Sequence, residues 1–478
     1  MPSDNSRKAV ALDDLQLLEP GRSRAPGYYA EIDRLYARLV SPGMRVLEVG
    51  CGTGRLLASL RPRSGLGVDV DPQKVSAARR LHEDHPELAF EILDAEAADW
   101  HGHEPFDYII LSDLVPALMD VQNVLERLRS VCKPSTRVVI SSPSNLWRPL
   151  LSWATRLRRR QFEKRFDWLS RTDIENLLYL AGFEVVTTGE QILVPVRIPV
   201  VSAVANRFLA KLPGLRHLCL VVYLVARPQP SRLGCQSEPS VSVVIPTRDE
   251  RDNIEAAFQR TPHMGAWTEL IFVDGHSTDG TVEEIERCIE KYGNQWQRVV
   301  LLHQTGKGKG QAVRQGFAES RGEILMILDS DLTMPPEELP KYYEALVSGR
   351  GELINGCRLV YLMEKEAMRF LNMIANYAFG HLFSWLMGQP VKDTLCGTKV
   401  LWQTDYEQIA ANRAYFGDFD PFGDFDLLFG AARLNRKIVD MPIRYRERAY
   451  GDIKIQRWRH GLLLLRMSFL GFRKLKLQ

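Results

Sequence analysis

The stretch ARPQPSRLGCQSEPS, residues 226–240, most limits what this chain can become. Pro, Ser, Gly and Arg replace the periodic apolar residues on either side, so the segment reads as a linker between two separately packed halves. A length of 478 residues agrees, set against a typical domain of about 150. In the first half the apolar runs RVLEV, GLGVDV, AFEIL, YIIL and RVVI alternate with the helix-like segments QKVSAARRLHED and VQNVLERLRSVC. The second half begins in the same rhythm, with VSVVIP, ELIFVD, VVLLH and EILMILD, but repeats none of the residues. Short buried strands alternating with helices predict an α/β fold in both halves, with a parallel sheet and crossover helices in the first; the sheet of the second is expected to be mixed.

A hydrophobic share of 45% with 25% charged residues excludes a collagenous or disordered polypeptide. The seven cysteines are odd in number, scattered, and never form a CxxC pair, which argues against structural zinc and a disulfide framework. The opening residues lack a signal-peptide core, and no window reaches the roughly 18 apolar residues of a membrane span. A cytoplasmic location follows as the expectation. Residues 444–478 hold ten Lys or Arg against two acids, a balance suited to meeting phosphate. A second basic run, Arg156, Arg158, Arg159, Arg160, Lys164 and Arg165, lacks a base-stacking aromatic pattern. It reads as a solvated helix or a lid over the first site, and no nucleic-acid partner is expected.

The run Val46 to Gly54, VLEVGCGTG, is a buried strand ending in alternate glycines. Glycine lets the backbone turn sharply and a ligand approach closely. Position 55 is Arg, so the spacing is GxGxG, preceded by the acid Glu48, and does not fit the GxGxxG of nicotinamide binding. Asp69 ends the second strand, where its carboxylate can accept both ribose hydroxyls, and Asp94 is read as ending the third, where a side chain can reach an adenine edge. On these residues the half from 25 to 228 resembles the class I S-adenosylmethionine-dependent methyltransferases, with a Rossmann-like fold. The resemblance implies S-adenosylmethionine as cofactor, with Gly50, Gly52 and Gly54 bordering its methionine part, Asp69 at ribose and Asp94 near adenine, and with Glu48 among the cofactor-binding residues. No general base is evident after the fourth strand; Asp113 reads as an acceptor contact or a structural cap. Methyl transfer is an in-line displacement in which positioning can carry much of the rate.

In the second half, strands deliver polar residues in order: Pro246, Thr247 and Glu250 after the first, Asp274 after the next, then Asp329-Ser330-Asp331. Two carboxylates one residue apart at a strand end can hold a hard divalent cation and, through it, a diphosphate. These motifs resemble family 2 glycosyltransferases of the GT-A fold over residues 238–478. The resemblance implies a nucleotide-sugar donor lined by Pro246, Thr247, Glu250, Asp274, Lys309 and Asp329, with Mg²⁺ or Mn²⁺ on Asp329 and Asp331. Gly275 stands where the family usually has a second acid.

Asn355 to Arg358, Asp393 to Lys399 and Arg448 to Lys454 are similar to segments of the dolichyl- and polyprenyl-phosphate sugar transferases, which implies that Arg358 and Arg448 face phosphates. Arg358, Asp393, Arg448 and Lys454 are therefore the candidate catalytic residues for a lipid-phosphate acceptor. Asp424 and Asp426, in PFGDFD, occupy the place of a catalytic carboxylate for a hydroxyl acceptor on a glycan or secondary metabolite. Residues 367–389 read equally as a buried helix or an interfacial one, and the basic, apolar last residues suit peripheral contact with a membrane. The expected division is an extension over 1–24, the methyltransferase-like half over 25–228, a linker over 229–237 and the glycosyltransferase-like half over 238–478. The expected function is bifunctional: methyl transfer, and inverting sugar transfer to a lipid-linked acceptor. The rival reading makes the first half a silent binding module.

Overall fold

The computed structural model describes residues 18–100, 102–156, 168–230, 238–360, 370–413, 425–444 and 457–477. The chain forms two compact units, Met1–Gln229 and Pro230–Gln478. The first holds seven strands: β1 (Arg45–Val49), β2 (Ser64–Asp69), β3 (Leu88–Ile92), β4 (Phe106–Ser112), β5 (Cys132–Pro143), β6 (Phe183–Gln191) and β7 (Val221–Pro228). Their order in the sheet is β3-β2-β1-β4-β5-β7-β6. The strands β1 to β5 pair in parallel, and β7 runs antiparallel between β5 and β6. Consecutive strand residues enter opposite cores: Leu47 and Ile109 pack on one face, Val46 and Ile110 on the other.

Local chemistry sets the helix starts. Asp71 accepts from the Gln73 and Lys74 amides ahead of Pro72–Leu81, with Pro at the first helical position. Ser170 and Asp173 form a capping box at Arg171–Leu180. The most apolar run of the sequence, residues 217–226, is largely β7, covered on both faces, which is why it is so hydrophobic.

The second unit holds β8 (Val241–Thr247), β9 (Thr268–Asp274), β10 (Arg298–His303), β11 (Ile324–Ile327), β12 (Leu353–Cys357), β13 (Lys399–Trp402) and β14 (Ile438–Pro442). The order is β10-β9-β8-β11-β13-β12-β14, a mixed sheet in which β13 is antiparallel to both neighbours. Both units are therefore α/β, as the rhythm of apolar runs predicts. The helix Phe370–Met387 resolves one alternative over its described side chains. Phe383 is fully buried and lies 4.9 Å from the Phe425 ring and 5.6 Å from that of Phe429, so this part is core rather than interface. In the helix Arg457–Gly471, Leu464 and Met467 enter the same core, while Leu465 and Phe469 remain exposed. Among the described residues no helix is long and apolar enough to cross a membrane.

Candidate active sites

In each sheet the strand order reverses beside the first strand of the unit, between β1 and β4 and between β8 and β11. Such a reversal opens a crevice at the carboxyl ends of the strands, where α/β sheets bind ligands. The glycine loop after β1 and the Asp329–Asp331 triplet after β11 follow strands that flank those reversals.

In the first unit a cavity of about 790 Å³ is lined by Glu48, Gly50, Gly52, Asp69, Asp94 and Asp113, among others. Gly50, Gly52 and Gly54 all have positive φ, between 54° and 75°, a region L side chains rarely adopt. A Cβ on Gly54 would also run into the Phe90 ring. Asp69 is fixed by the loop it faces, accepting from Gly52 N and Asp71 N, each at 2.9 Å. A carboxylate has about four acceptor sites, so these two bonds still leave capacity for a diol. Asp94 lies two residues beyond the end of β3 rather than on the strand, with its carboxylate accepting from Glu96 N at 3.0 Å. Asp113, in a left-handed conformation, accepts from Tyr28 Oη at 2.5 Å and Ser141 Oγ at 3.1 Å, so it is both a fixed loop residue and part of the cavity wall.

Two contributors were not visible in the sequence, because they precede the first strand and belong to no motif. Glu19 accepts from Thr53 N and Thr53 Oγ1, both at 2.8 Å, within the glycine loop itself. Arg22 holds Asp33 through two hydrogen bonds of 2.9 and 3.0 Å and also lines the cavity.

Glu48 is 3% exposed and accepts from Leu57 N at 3.0 Å. Burial pushes its carboxyl up to about 8, against the lowering effects of that hydrogen bond and of Arg22. In the unfolded chain the same group loses its proton near the ordinary 4.5. Folding thus takes up a proton across that window, and stability falls as pH rises from about 4.5 to about 8. Melting temperatures of the wild type are expected to decline relative to Glu48→Gln over this range. Parallel curves would mean that Glu48 is ionised in the folded protein.

In the second unit Thr247 and Asp274 are register partners on β8 and β9, and Gly275 N donates to Thr247 O at 2.8 Å. The Asp274 carboxylate accepts from the His276 and Ser277 amides, which holds the loop after β9. A Cβ at Gly275 would lie 3.1 Å from Gln304 Oε1 and 3.2 Å from Thr247 O, so a larger residue there would require these neighbours to give way slightly. Glu250 accepts from Asn253 Nδ2 at 2.8 Å at the start of the helix Arg251–Arg260; Pro246 precedes Thr247 on β8. Gln304 ties these loops together: its amide donates to Asp274 O at 2.8 Å and its side chain to Gly308 O at 2.7 Å. Motif reading passed over Gln304, a neutral residue beyond the strand end.

Lys309 Nζ lies 2.5 Å from Asp329 Oδ1. Burial would raise the Asp329 carboxyl, but the charges of Lys309, Lys399 and Arg358 outweigh it and hold the group below its ordinary value. A Cβ on Gly397 would collide with both the Asp329 carboxylate and the Lys309 ammonium, so the backbone approaches as closely as only glycine can. Asp331 accepts from Thr333 N and Thr333 Oγ1. Among the described residues no group of three or more His, Cys, Asp or Glu could hold a metal. Mg²⁺ needs no such cage, since one or two carboxylates with water and substrate phosphates complete its shell. Asp329, beside this close backbone approach, and Asp331, two residues further on, are two hard oxygen donors of the type that pattern uses.

Arg358 and Asp393 form a bidentate pair, Nε to Oδ2 at 2.7 Å and a terminal nitrogen to Oδ1 at 2.8 Å, and the Arg358 amide adds a third bond at 3.0 Å. Asp426 lies 2.8 Å from Arg413 Nε and 3.9 Å from Arg314, largely buried. Asp424, Arg448 and Lys454 lie outside the described residues.

Comparison with known proteins matches residues 22–188 to the model of a methyltransferase domain and residues 242–406 to that of glycosyl transferase family 2. The dolichol-phosphate mannosyltransferase of Pyrococcus furiosus is 30% identical over 45% of this chain and 59% of its own length. The undecaprenyl-phosphate 4-deoxy-4-formamido-L-arabinose transferase of Edwardsiella ictaluri is 34% identical over 47% of this chain and 64% of its own. The chain thus spans about three fifths of these relatives. The magnesium protoporphyrin IX methyltransferase of Synechocystis PCC 6803, solved with bound SAH, aligns at 18% identity over 46% of this chain and 94% of its own, with a TM-score of 0.32. With both matched stretches falling on the two crevices just described, the chain joins a methyltransferase domain to a family 2 glycosyltransferase domain.

Proposed function

We propose that the chain is a bifunctional transferase in which the first unit uses S-adenosylmethionine and the second moves a sugar from a nucleotide donor to a polyprenyl-phosphate-like lipid at the inner face of a membrane. The carrying observation is the cluster of Lys309, Asp329 and Gly397 at the β8/β11 reversal, with the Arg358–Asp393 pair bearing electrostatically on the same carboxylate. The names of the curated relatives, both sugar transferases to lipid phosphates, support the acceptor class. The halves are taken as 25–228 and 238–478.

In the first unit Asp69 would take the ribose hydroxyls, and the glycine loop would let the methionine part approach the backbone. When bound, S-adenosylmethionine supplies an activated methyl on a sulfonium; the residues here bind and orient it. In the second unit Asp329 and Asp331 would hold Mg²⁺ or Mn²⁺, whose contribution is to neutralise charge on the leaving diphosphate. A lipid phosphate is already anionic, so attack needs cations to hold the acceptor and no base to activate it. Asp393 keeps the Arg358 guanidinium in one orientation for that purpose, and Arg448 and Lys454 are assigned the same task from their sequence match. Asp426 is engaged by Arg413 in an ion pair, which gives its carboxylate a structural partner.

A screen of nucleotide sugars with Mn²⁺ and a polyprenyl phosphate tests the reading. Arg448→Ala should lower transfer by about 100-fold, the scale for removing one charge-stabilising donor, while Asp426→Asn leaves most of it. The opposite order of effects would replace the lipid phosphate with a hydroxyl acceptor. Calorimetric titration with S-adenosylmethionine checks the first unit independently.

A further inference from the structure

The methyltransferase unit carries an apolar surface that neither crevice uses. Between β6 and β7 lies an insertion, residues 192–220, built on the helix Val201–Arg207 and two short turns of helix. Its Val196, Val200, Val201, Phe208 and Leu218 are between 43% and 75% exposed. Leu150 and Trp153, on the helix Arg148–Arg156, are 53% and 60% exposed. Trp147 Nε1 donates to Leu218 O at 2.9 Å and Ser144 N to Leu220 O at 2.7 Å, so the two segments are fastened side by side. Single exposed apolar residues are ordinary, whereas seven of them on two segments hydrogen-bonded side by side make a candidate interaction face.

The insertion is held firmly. Buried Asn206 accepts from the Leu193 and Val194 amides at 2.9 and 2.8 Å and donates to Val194 O, and buried Lys211 donates to Gln191. The apolar side chains therefore stand on an ordered base.

Charge identifies what the surface meets. From residue 192 to 237 the chain contains no Asp or Glu, and none occurs from 127 to 162 either. Arg148, Arg197 and Arg207 are exposed among the apolar side chains. Glu190, the acid just before the insertion, lies beside Arg171, Arg216 and His217 at its base. Exposed Val, Leu, Phe and Trp interleaved with Arg, on two segments that themselves carry no acid, match an anionic lipid surface, where apolar groups enter the headgroup boundary and guanidinium groups meet phosphate. A water-soluble protein partner of ordinary surface would place both signs of charge opposite such a face.

We propose that the β6–β7 insertion and the helix Arg148–Arg156 form a membrane-docking face for anionic bilayers. This face adjoins the donor cavity: Leu151, Pro195 and Leu220 line that cavity, next in sequence to exposed Leu150 and Val196. Docking would bring the cavity mouth to the bilayer, so the methyl acceptor is drawn from among lipid-borne molecules. That last clause rests on the methyltransferase reading, whereas the docking face does not.

The test uses the full chain with an environment-sensitive fluorophore on Val200→Cys, mixed with phosphatidylcholine vesicles with or without phosphatidylglycerol. Anionic vesicles should shift the emission to the blue, and lipid-borne nitroxide should quench it, which contact by the C-terminal segment alone would not produce. Arg197→Gln with Arg207→Gln should weaken vesicle affinity roughly thirtyfold, about fivefold for each basic residue. Both substitutions are exposed, and circular dichroism verifies folding. Flotation with vesicles without quenching at position 200, or binding unchanged in the double variant, overturns the proposal. So does a blue shift that grows with protein concentration in the absence of lipid, which would assign the face to a second copy of the chain. Retained S-adenosylmethionine binding in any of these cases shows that the docking face failed and the methyltransferase reading did not.

Discussion

Asp329→Ala should lower sugar transfer by about 1,000-fold, and EDTA should produce the same loss in the wild type. The figure follows from the several kcal/mol of leaving-group stabilisation that a bound cation supplies, at 1.36 kcal/mol for each factor of ten. Two effects combine in the variant. The cation loses one of two carboxylates, and Lys309 loses its 2.5 Å ion pair, so its ammonium is no longer held beside Gly397. Calorimetric affinity for S-adenosylmethionine should be unchanged in both experiments, because the first unit is a separate compact body with its own cavity. Full transfer in metal-free buffer would remove the cation from the proposed reaction and leave Asp329 as a partner of Lys309 alone.

The second large effect is expected at Asp393, which is 1% exposed and whose two oxygens serve Arg358 and the Leu395 amide. Asp393→Ala leaves a mostly buried guanidinium without its carboxylate, a loss on the order of 3–5 kcal/mol for a broken buried pair. Urea midpoints should show it, together with a fall in transfer beyond what stability explains. Arg358→Lys keeps the charge but not the fork, and should spare stability more than activity. Burial raises the Asp393 carboxyl, yet Arg358 and the amide bonds outweigh it and hold the group below its ordinary value. The pair's contribution is therefore complete above about pH 4 and fades only as pH falls through the depressed value. Variants as stable and active as the wild type would leave the pair without a role in either.

Much of both sites was legible because parallel strands are buried on both faces and deliver their next residues to a crevice. An apolar run closed by Gly, Asp or Thr, as at Val49-Gly50, Val68-Asp69, Val273-Asp274 and Leu328-Asp329, therefore reads as a strand end with a ligand-facing residue. Glu19 and Arg22 were not legible, since they reach the cavity from residues ahead of β1, outside the strand rhythm. Gln304 was missed because its part is to join two loops, a task visible only once Asp274 O and Gly308 O are near each other. The helix Phe370–Met387 could not be assigned from its own composition: what buries Phe383 is Phe425 and Phe429, more than forty residues later. The insertion before β7 has no clean period, so its exposed side chains could not be told from core.

The Glu19 bonds to Thr53 bear on how such chains can be recombined. The expected boundary at 25 leaves outside it an acceptor that serves both the amide and the hydroxyl of Thr53 in the glycine loop. A fusion or transplant cut there would carry every motif residue and still deliver a loop with two donors turned to solvent. In this chain the working edge of the unit lies ahead of its strand pattern and is set by hydrogen bonding.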